Sequence, residues 1–413
     1  MRNPRKLMIE DSRIAIWYFN INQEQLWNTS QVFPSMTDKL QLELVKQQEQ
    51  QQLFIAEPHD IVLMNYTLDY DYLQYLQSWG IQLPQIVMQF RSETLSKLQH
   101  DNSLLIPYIF SEESYIENGW IRELKILGGS PELVKSINNK FTTRRLAEEY
   151  GFNITKGYFC YNINELQSAY HKLCESGFRK CVIKIPFGSS GKGLRIIENT
   201  EGFNTFLKFI QRRSTTFELL IEGWYCDARC INGQLWVAEN KVEVIAVTEQ
   251  KIDLNGVYEG TNYTPDFHSL VIHQYSQELV RLGEILQERG YRGICGIDSI
   301  IDREGFIYPI IEINARLTQV TYLLPVVNRL INSYPYIHSM YRKFDKSYSL
   351  GFKEILSELT NLLEPDDRNK FLIYTFAKTE TEGSKSMYRV YVLFYGKDYV
   401  KFQNMLVDFS NSR

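Results

Sequence analysis

The stretch CVIKIPFGSSGKGLRII, Cys181 to Ile197, decides the reading of this chain. It opens with an apolar run that carries one lysine, Lys184, and so reads as a buried β-strand with a single charge directed at something specific. Pro186 ends the ladder, because proline has no N–H to donate. Gly188, Ser189, Ser190, Gly191, Lys192 and Gly193 follow, a turn of little side-chain bulk with many free N–H groups and one cation. Leu194 to Ile197 leaves it as a second apolar run. Such a loop can fold over a polyphosphate, since glycines let backbone N–H groups come within hydrogen-bond reach of phosphate oxygens. The plain alternative is a β-hairpin with a glycine-rich tip.

A P-loop is excluded by spacing. That pattern needs a glycine five positions before the Gly-Lys pair and Ser or Thr after it. Here Pro186 and Gly193 stand in those places, and the loop leads to a strand-like run instead of a helix.

A second stretch, GICGIDSIIDREGFIYPIIEINARLT from Gly293 to Thr318, tips the balance toward a nucleotide. Gly296 to Ile301 reads as a strand, Asp302-Arg303-Glu304-Gly305 as a turn, and Phe306 to Ile313 as the returning strand. Such a hairpin brings Asp298 near Glu312 and Asn314, and the latter two, being two apart, share one face. Together they offer only oxygen ligands, which is Mg²⁺ chemistry. Arg316 adds a fixed cation on the same side. A carboxylate and an amide inside the apolar run Ile310 to Asn314 are costly unless they have partners, which argues against a mere solvated hairpin end.

The two stretches resemble the ATP-grasp superfamily, whose members bind ATP between two α+β subdomains. The resemblance covers roughly Asn138 to Leu330 and implies ATP and Mg²⁺, two ions, as cofactors. It assigns Lys184 to the α/β-phosphates and Gly188, Ser189, Ser190, Gly191, Lys192 and Gly193 to a loop closing on the β/γ-phosphates. Asp298, Glu312 and Asn314 become the metal ligands. Arg316 faces the transferred phosphoryl group, with Lys184 and Lys192 as further catalytic cations. Lys140, in Asn138-Asn139-Lys140-Phe141 ahead of a helix from Thr142 to Tyr150, matches a first ATP-contacting lysine, although Asn139 stands where the family usually has aspartate. Leu219 to Trp224 resembles the hinge strand, with Ile221 meeting adenine through its backbone and Glu222 as the acid nearby.

Outside these stretches the chain is less explicit. Its 413 residues suggest two or three domains, and a net charge of −4 with scattered basic residues gives no electrostatic case for nucleic acid or a membrane surface. The six cysteines form no zinc or redox motif; Cys226 and Cys230 lie four apart without a second ligand pair, and free thiols fit a reducing cytoplasm. No apolar run approaches the ~20 residues of a membrane span. Residues 1–136 alternate strand candidates (Ile14–Phe19, Asp60–Tyr66, Ile86–Phe90, Leu104–Phe110) with helix-like stretches, which predicts an open α/β domain with a mostly parallel sheet. No GxGxxG follows any of these strands, so a dinucleotide site is not expected. Asp69, in Asn65 to Asp71, reads as a helix N-cap. Residues 137–335 form the ATP-grasp region, with a lid over about 137–222 and a metal-site subdomain over about 223–335. Within it, Trp236 to Val247 gives one or two strands, and the polar stretch up to Pro265, with Tyr258, Gly260, Thr261, Asn262 and Tyr263, reads as loop filling or substrate contacts. Ser333 to Leu350 reads as a connector with a short helix. Residues 345–413 form a small α+β domain expected to cover the site or make a homodimer contact. The fold class is thus α/β and α+β in three parts.

The assembled groups suit phosphoryl transfer by positioning and charge neutralisation, and no Ser-His-Asp or Cys-His nucleophile is evident. A substrate carboxylate, of an amino acid or peptide, would attack the γ-phosphate to give an acyl-phosphate and ADP, and an amine would then form the amide. The layout, with Glu312-Ile313-Asn314-Ala315-Arg316 at its centre, resembles the peptide ligases of bacterial natural-product pathways, including the pheganomycin type. An amino-acid ligase loading a carrier-protein thiol, as in butirosin-type biosynthesis, shares the same ATP half. A small-molecule kinase on the same fold would phosphorylate a hydroxyl and keep the phosphate on its product.

Overall fold

A computed structural model describes residues 1–10, 12–33, 35–88, 103–112, 125–188, 193–214, 216–380 and 385–411. Its core is built on three sheets. The first comes from β1 (Ile14–Tyr18), β2 (Ile61–Met64), β3 (Gln85–Met88) and β4 (Ser103–Pro107) in the order β3-β2-β1-β4, and every pairing is parallel. Parallel sheets are covered on both faces, which is why β2 reads Ile-Val-Leu-Met and is buried throughout. Residues 89 and 90, at the end of the expected third strand, lie outside the described residues. Asp69 does cap the helix Tyr70–Ser78, accepting from the N–H groups of Asp71 at 2.8 Å and Tyr72 at 3.3 Å. Beneath the sheet Arg5 and Asp60, both fully buried, form a two-point ion pair at 2.7 and 2.8 Å. Asp60 also accepts from Ala15 N–H, Glu57 N–H and the Trp17 indole, so its lone pairs are well used.

The second sheet falls in the stretch, about 137–222, expected to form a lid. It comprises β5 (Gly157–Cys160), β6 (Cys181–Lys184), β7 (Leu194–Ile197) and β8 (Leu219–Gly223), antiparallel and in the order β5-β8-β6-β7. β6 and β7 form the hairpin read from the sequence, with Lys184 opposite Leu194. Gly193 closes it: its φ of +90° suits glycine, and a Cβ there would meet Ile185 at 2.9 Å. Ser189, Ser190, Gly191 and Lys192 lie outside the described residues.

The third sheet overturns the expected boundary near residue 345. β9 (Arg229–Val237), β10 (Val242–Ile252), β11 (Tyr258–Asn262), β12 (Gly293–Ile301), β13 (Ile307–Asn314), β14 (Tyr336–Lys346), β15 (Asn369–Glu380) and β16 (Ser386–Gly396) form one eight-stranded sheet in the order β13-β12-β9-β10-β11-β14-β16-β15. The presumed connector 333–350 is largely β14, and its Tyr, Ser and Lys residues disguise a strand that pairs along its whole length with β16. The polar stretch before Pro265 likewise contains β11, which pairs with β10 and β14.

The outer edge of this sheet is finished by side chains of the first domain. Gln50 and Gln47 each exchange two hydrogen bonds with the backbone of β15, at Phe376 and Lys378 respectively, at 2.7 to 3.0 Å. They stand on a 3₁₀ helix, Gln47–Phe54, that is buried along its length despite its glutamines. Side-chain amides thus take the part of a ninth strand and cover an otherwise open edge. Among the described residues no helix is long and apolar enough to cross a membrane.

Candidate active site

A cavity of about 280 Å³ opens between the lid, the central sheet and the first domain. It is lined by Lys140, Lys184, Asp298, Glu312, Asn314 and Arg316, which the sequence reading had singled out from three separate stretches. The register explains the meeting. Asp298 pairs with Glu312 across β12 and β13, and Gly296 pairs with Asn314. On its other side Asp298 pairs with Asn232 of β9.

Asp298 is held by neutral amides. Its Oδ1 accepts from Asn232 and Gln250, each at 2.7 Å, and its Oδ2 accepts from Asn314 at 3.2 Å. Asn232 is oriented in turn by Gln234 at 2.7 Å, and Gln234 by the hydroxyls of Thr318 and Thr321, both at 2.9 Å. This relay needs Gly296, where a Cβ would meet the Thr318 methyl at 2.7 Å and the Gln234 amide at 2.9 Å. Burial, followed by the negative charge of Glu312, pushes the Asp298 carboxyl up to about 6, against the pull of Asn232, Arg316 and Gln250. Two carboxylates and an amide oxygen, with a surplus of negative charge between them, form a donor set suited to a hard divalent cation.

Cations converge from the other side. Lys140 is buried, and its ammonium donates to Glu312 Oε1 and to the carbonyl of Gly188, both at 2.7 Å. It therefore ties the start of the glycine loop to the metal-type carboxylate. The preceding Asn139, where the resemblance expects aspartate, is the N-cap of the helix, accepting from Phe141 N–H at 2.9 Å and Thr142 N–H at 3.2 Å. Arg316 donates to Asn314 Oδ1 at 2.7 Å and to Glu24 Oε2 at 3.1 Å, with its guanidinium 5.1 Å from the Tyr108 ring centroid. Burial would weaken the Arg316 cation, but Glu24 and Tyr108 outweigh it and hold the proton more firmly than in a free arginine.

The hinge is where the structure departs from expectation. Ile221 is fully buried in the lid core, and β8 lies between β5 and β6, so its backbone groups face ladder partners on both sides. Ile221 does not line the cavity; Trp224, one residue past β8, does. The Glu222 carboxylate is likewise engaged, accepting from Lys184, from Arg144 at 2.6 Å and from the Thr155 hydroxyl. Burial would raise this carboxyl, but Lys184 and Arg144 prevail and lower it. Glu222 thus positions Lys184 instead of standing open to a ligand.

Sequence reasoning missed Glu24, Asn232, Gln234 and Gln250, which are ordinary polar residues until the sheets are assembled. Cys230 also lines the cavity, but burial, then the charges of Asp298 and Glu249, push its thiol up to about 12, so it is no ready nucleophile. All six cysteines are unpaired, and no group of three or more His, Cys, Asp and Glu residues able to hold a metal occurs among the described residues.

The chain belongs to the ATP-grasp family: residues 137–320 match the model of the ATP-grasp domain. It is 39% identical over 378 residues, 92% of this chain and 89% of its relative, to the [butirosin acyl-carrier protein]–L-glutamate ligase of Niallia circulans. The fold as a whole is similar to the N5-carboxyaminoimidazole synthetase of Staphylococcus aureus, with a TM-score of 0.57 at 15% identity over 99% of this chain and 100% of the other. It is also similar to the phosphoribosylamine–glycine ligase of Thermotoga maritima, with a TM-score of 0.56 at 13% identity over 96% of both chains. The chain is an ADP-forming ATP-grasp ligase.

Proposed function

We propose that this ligase activates the carboxylate of an amino acid, with L-glutamate the first candidate, and transfers the acyl group to an acyl-carrier protein. The observation that carries the reading is near full-length similarity, over 92% of this chain, to a ligase named for L-glutamate and a carrier protein. Of the acceptors left open by the sequence, a carrier-borne thiol or amine is thereby preferred to a free peptide amine.

The reaction balances as follows. A carboxylate oxygen of the donor forms a bond to the γ-phosphorus while the bond from that phosphorus to the β–γ bridging oxygen breaks, releasing ADP. The acceptor thiol or amine then loses its proton as it bonds to the acyl carbon, and inorganic phosphate leaves. Asp298, Glu312 and Asn314 would hold Mg²⁺, which when bound supplies charge neutralisation on the phosphate oxygens. Lys184, fixed by Glu222, would face the phosphates from the lid. Arg316, fixed by Glu24 and Asn314, would sit where charge develops on the moving phosphoryl group. Lys140 would bring the Gly188 end of the loop against Glu312.

The test is ADP release with ATP and Mg²⁺ across a panel of amino acids, with hydroxylamine as a trapping amine. Carboxylate-dependent hydroxamate is the expected product. With carrier protein added, the acyl group should appear on the pantetheine-bearing form and not on the apo form. Equal transfer to free amino acids would defeat the carrier assignment, and a stable phosphorylated product without free phosphate would defeat the ligase chemistry.

A further inference from the structure

The wall of the cavity farthest from Asp298 holds a cation without a counter-ion. Arg389 lies on β16, is only 7% exposed, and lines the cavity. It stands over the rings of Tyr341 at 4.5 Å and Tyr391 at 5.2 Å, and it also hydrogen-bonds to Tyr391. Its Nε has no acceptor, and among the described residues no carboxylate pairs with it. Directly opposite on β14 is another cation, Lys343, whose proton is loosened first by burial and then by the charge of Arg389. From the first domain Gln51, 2% exposed and lining the same cavity, offers an amide Nε2 that likewise has no partner. A buried guanidinium with its Nε–H unmet and a buried amide donor without a partner, both lining one space, are expensive unless an acceptor enters between them.

The sheet connects this corner to the phosphoryl-transfer site. Tyr341 is two residues from Ser339, Ser339 pairs with Thr261, Thr261 pairs with Gln250, and the Gln250 amide holds Asp298. Both ends therefore belong to one face. β10 and β16 are three strand spacings apart, ~14 Å, and Arg389 lies four residues along β16 from Leu393, the partner of Ser339, a further ~13 Å, so the two backbones stand ~19 Å apart before Gln250 and Arg389 reach toward each other. With both side chains extended into it, that interval leaves room for a γ-phosphoryl group and a short-chain acid in line.

On the donor reading given above, we infer that Arg389 and Gln51, framed by Tyr341 and Tyr391, bind the carboxylate of the donor that does not react, so that the enzyme selects dicarboxylic amino acids. Arginine suits this task because its planar fork matches a carboxylate at two points, and the aromatic faces keep that fork in plane.

The test compares kcat/KM for ADP release with L-glutamate, L-glutamine, isoglutamine and 4-aminobutyrate in the wild type, Arg389→Gln, Arg389→Lys and Gln51→Leu. The wild type should prefer the diacid to acids lacking the second carboxylate by 10²-fold or more. Arg389→Gln should raise KM for glutamate by 10²-fold or more, leave KM for ATP within about threefold, and abolish the preference. Arg389→Lys should recover part of it, and Gln51→Leu should raise KM for glutamate by about tenfold. If the wild type turns over monocarboxylic donors as well as glutamate, or if Arg389→Gln lowers kcat for all donors without changing their ranking, the inference is overturned while the ligase assignment stands. If no carboxylate elicits ADP at all, the donor reading falls as well.

Discussion

Glu24 offers the sharpest test of how the first domain takes part in catalysis. It is buried, on the short helix Gln23–Leu26, and its carboxylate lies 3.1 Å from Arg316. At that separation the direct attraction is about 5 kcal/mol for an effective dielectric of ~20. Removing one partner of a buried pair costs roughly 3–5 kcal/mol, mostly because the other charge is stranded. Arg316 would keep the Asn314 contact and the Tyr108 face, so it would stay in the site but lose its fixed direction. If the loss falls on the transition state, Glu24→Ala should lower kcat by about 10²–10³-fold, since each ~1.4 kcal/mol is tenfold in rate. Glu24→Gln keeps an acceptor and loses only charge assistance, and should cost about tenfold. The assay is coupled ADP release at saturating ATP and donor, with nucleotide affinity measured separately and circular dichroism to verify folding. Glu24→Ala should leave ATP affinity within about threefold. A folded Glu24→Ala enzyme with kcat within twofold of wild type would refute the idea that this ion pair aims Arg316. Equal damage from Ala and Gln would show that charge is not the operative property.

Other expectations follow from single contacts. Lys140→Met removes the link between Gly188 and Glu312 and should reduce kcat/KM for ATP by about 10²-fold; an unchanged kcat/KM for ATP in steady-state kinetics would contradict the link's role. Gly193→Val combines a φ of +90° with a 2.9 Å approach to Ile185, so it should cost about 1–3 kcal/mol and lower the midpoint of urea denaturation; a midpoint equal to wild type would count against the strain. Arg5→Met strands Asp60 in the core of the first domain and should destabilise by about 3–5 kcal/mol in the same measurement. Glu49 is raised from 4.5 to about 7, chiefly by burial, against hydrogen bonds from Asn65 and Tyr66. A raised carboxyl stabilises the fold in its protonated form, fully below ~4.5 and decreasingly as the pH rises through 7. Stability should therefore fall by a few kcal/mol at most between pH 5 and pH 8, and Glu49→Gln should flatten that slope; an identical slope in the variant would exclude Glu49 as its source.

The candidate site was legible because its residues cluster locally in sequence. Lys184 stands on a strand beside a glycine turn, and Asp298, Glu312 and Asn314 stand on one hairpin whose register follows from alternation. Where the reading stopped, the determining contacts were non-local. Glu222 reads from sequence only as the acid of a hinge strand, because nothing within a few residues announces that Arg144 and Lys184 will close on it from a helix and a neighbouring strand. β14 reads as a connector because Tyr, Ser, Lys and Asp break up its apolar alternation; of these Tyr341 lines the cavity, beside the aromatic and cationic residues of β16. The glutamine run Gln47 to Gln52 belongs to one of the helix-like stretches of the first domain, yet Gln47 and Gln50, three apart, bind the edge of β15 while Gln48 and Gln51 line the cavity. The last two departures have a common cause. The central sheet is polar on the face that meets substrate, so its strands lose the apolar alternation by which strands are recognised. The first domain must then supply both the missing edge partners and part of the binding wall. Damage to the Gln47–Phe54 helix should therefore appear in donor affinity as well as in stability, a coupling that a separate α/β domain would not produce.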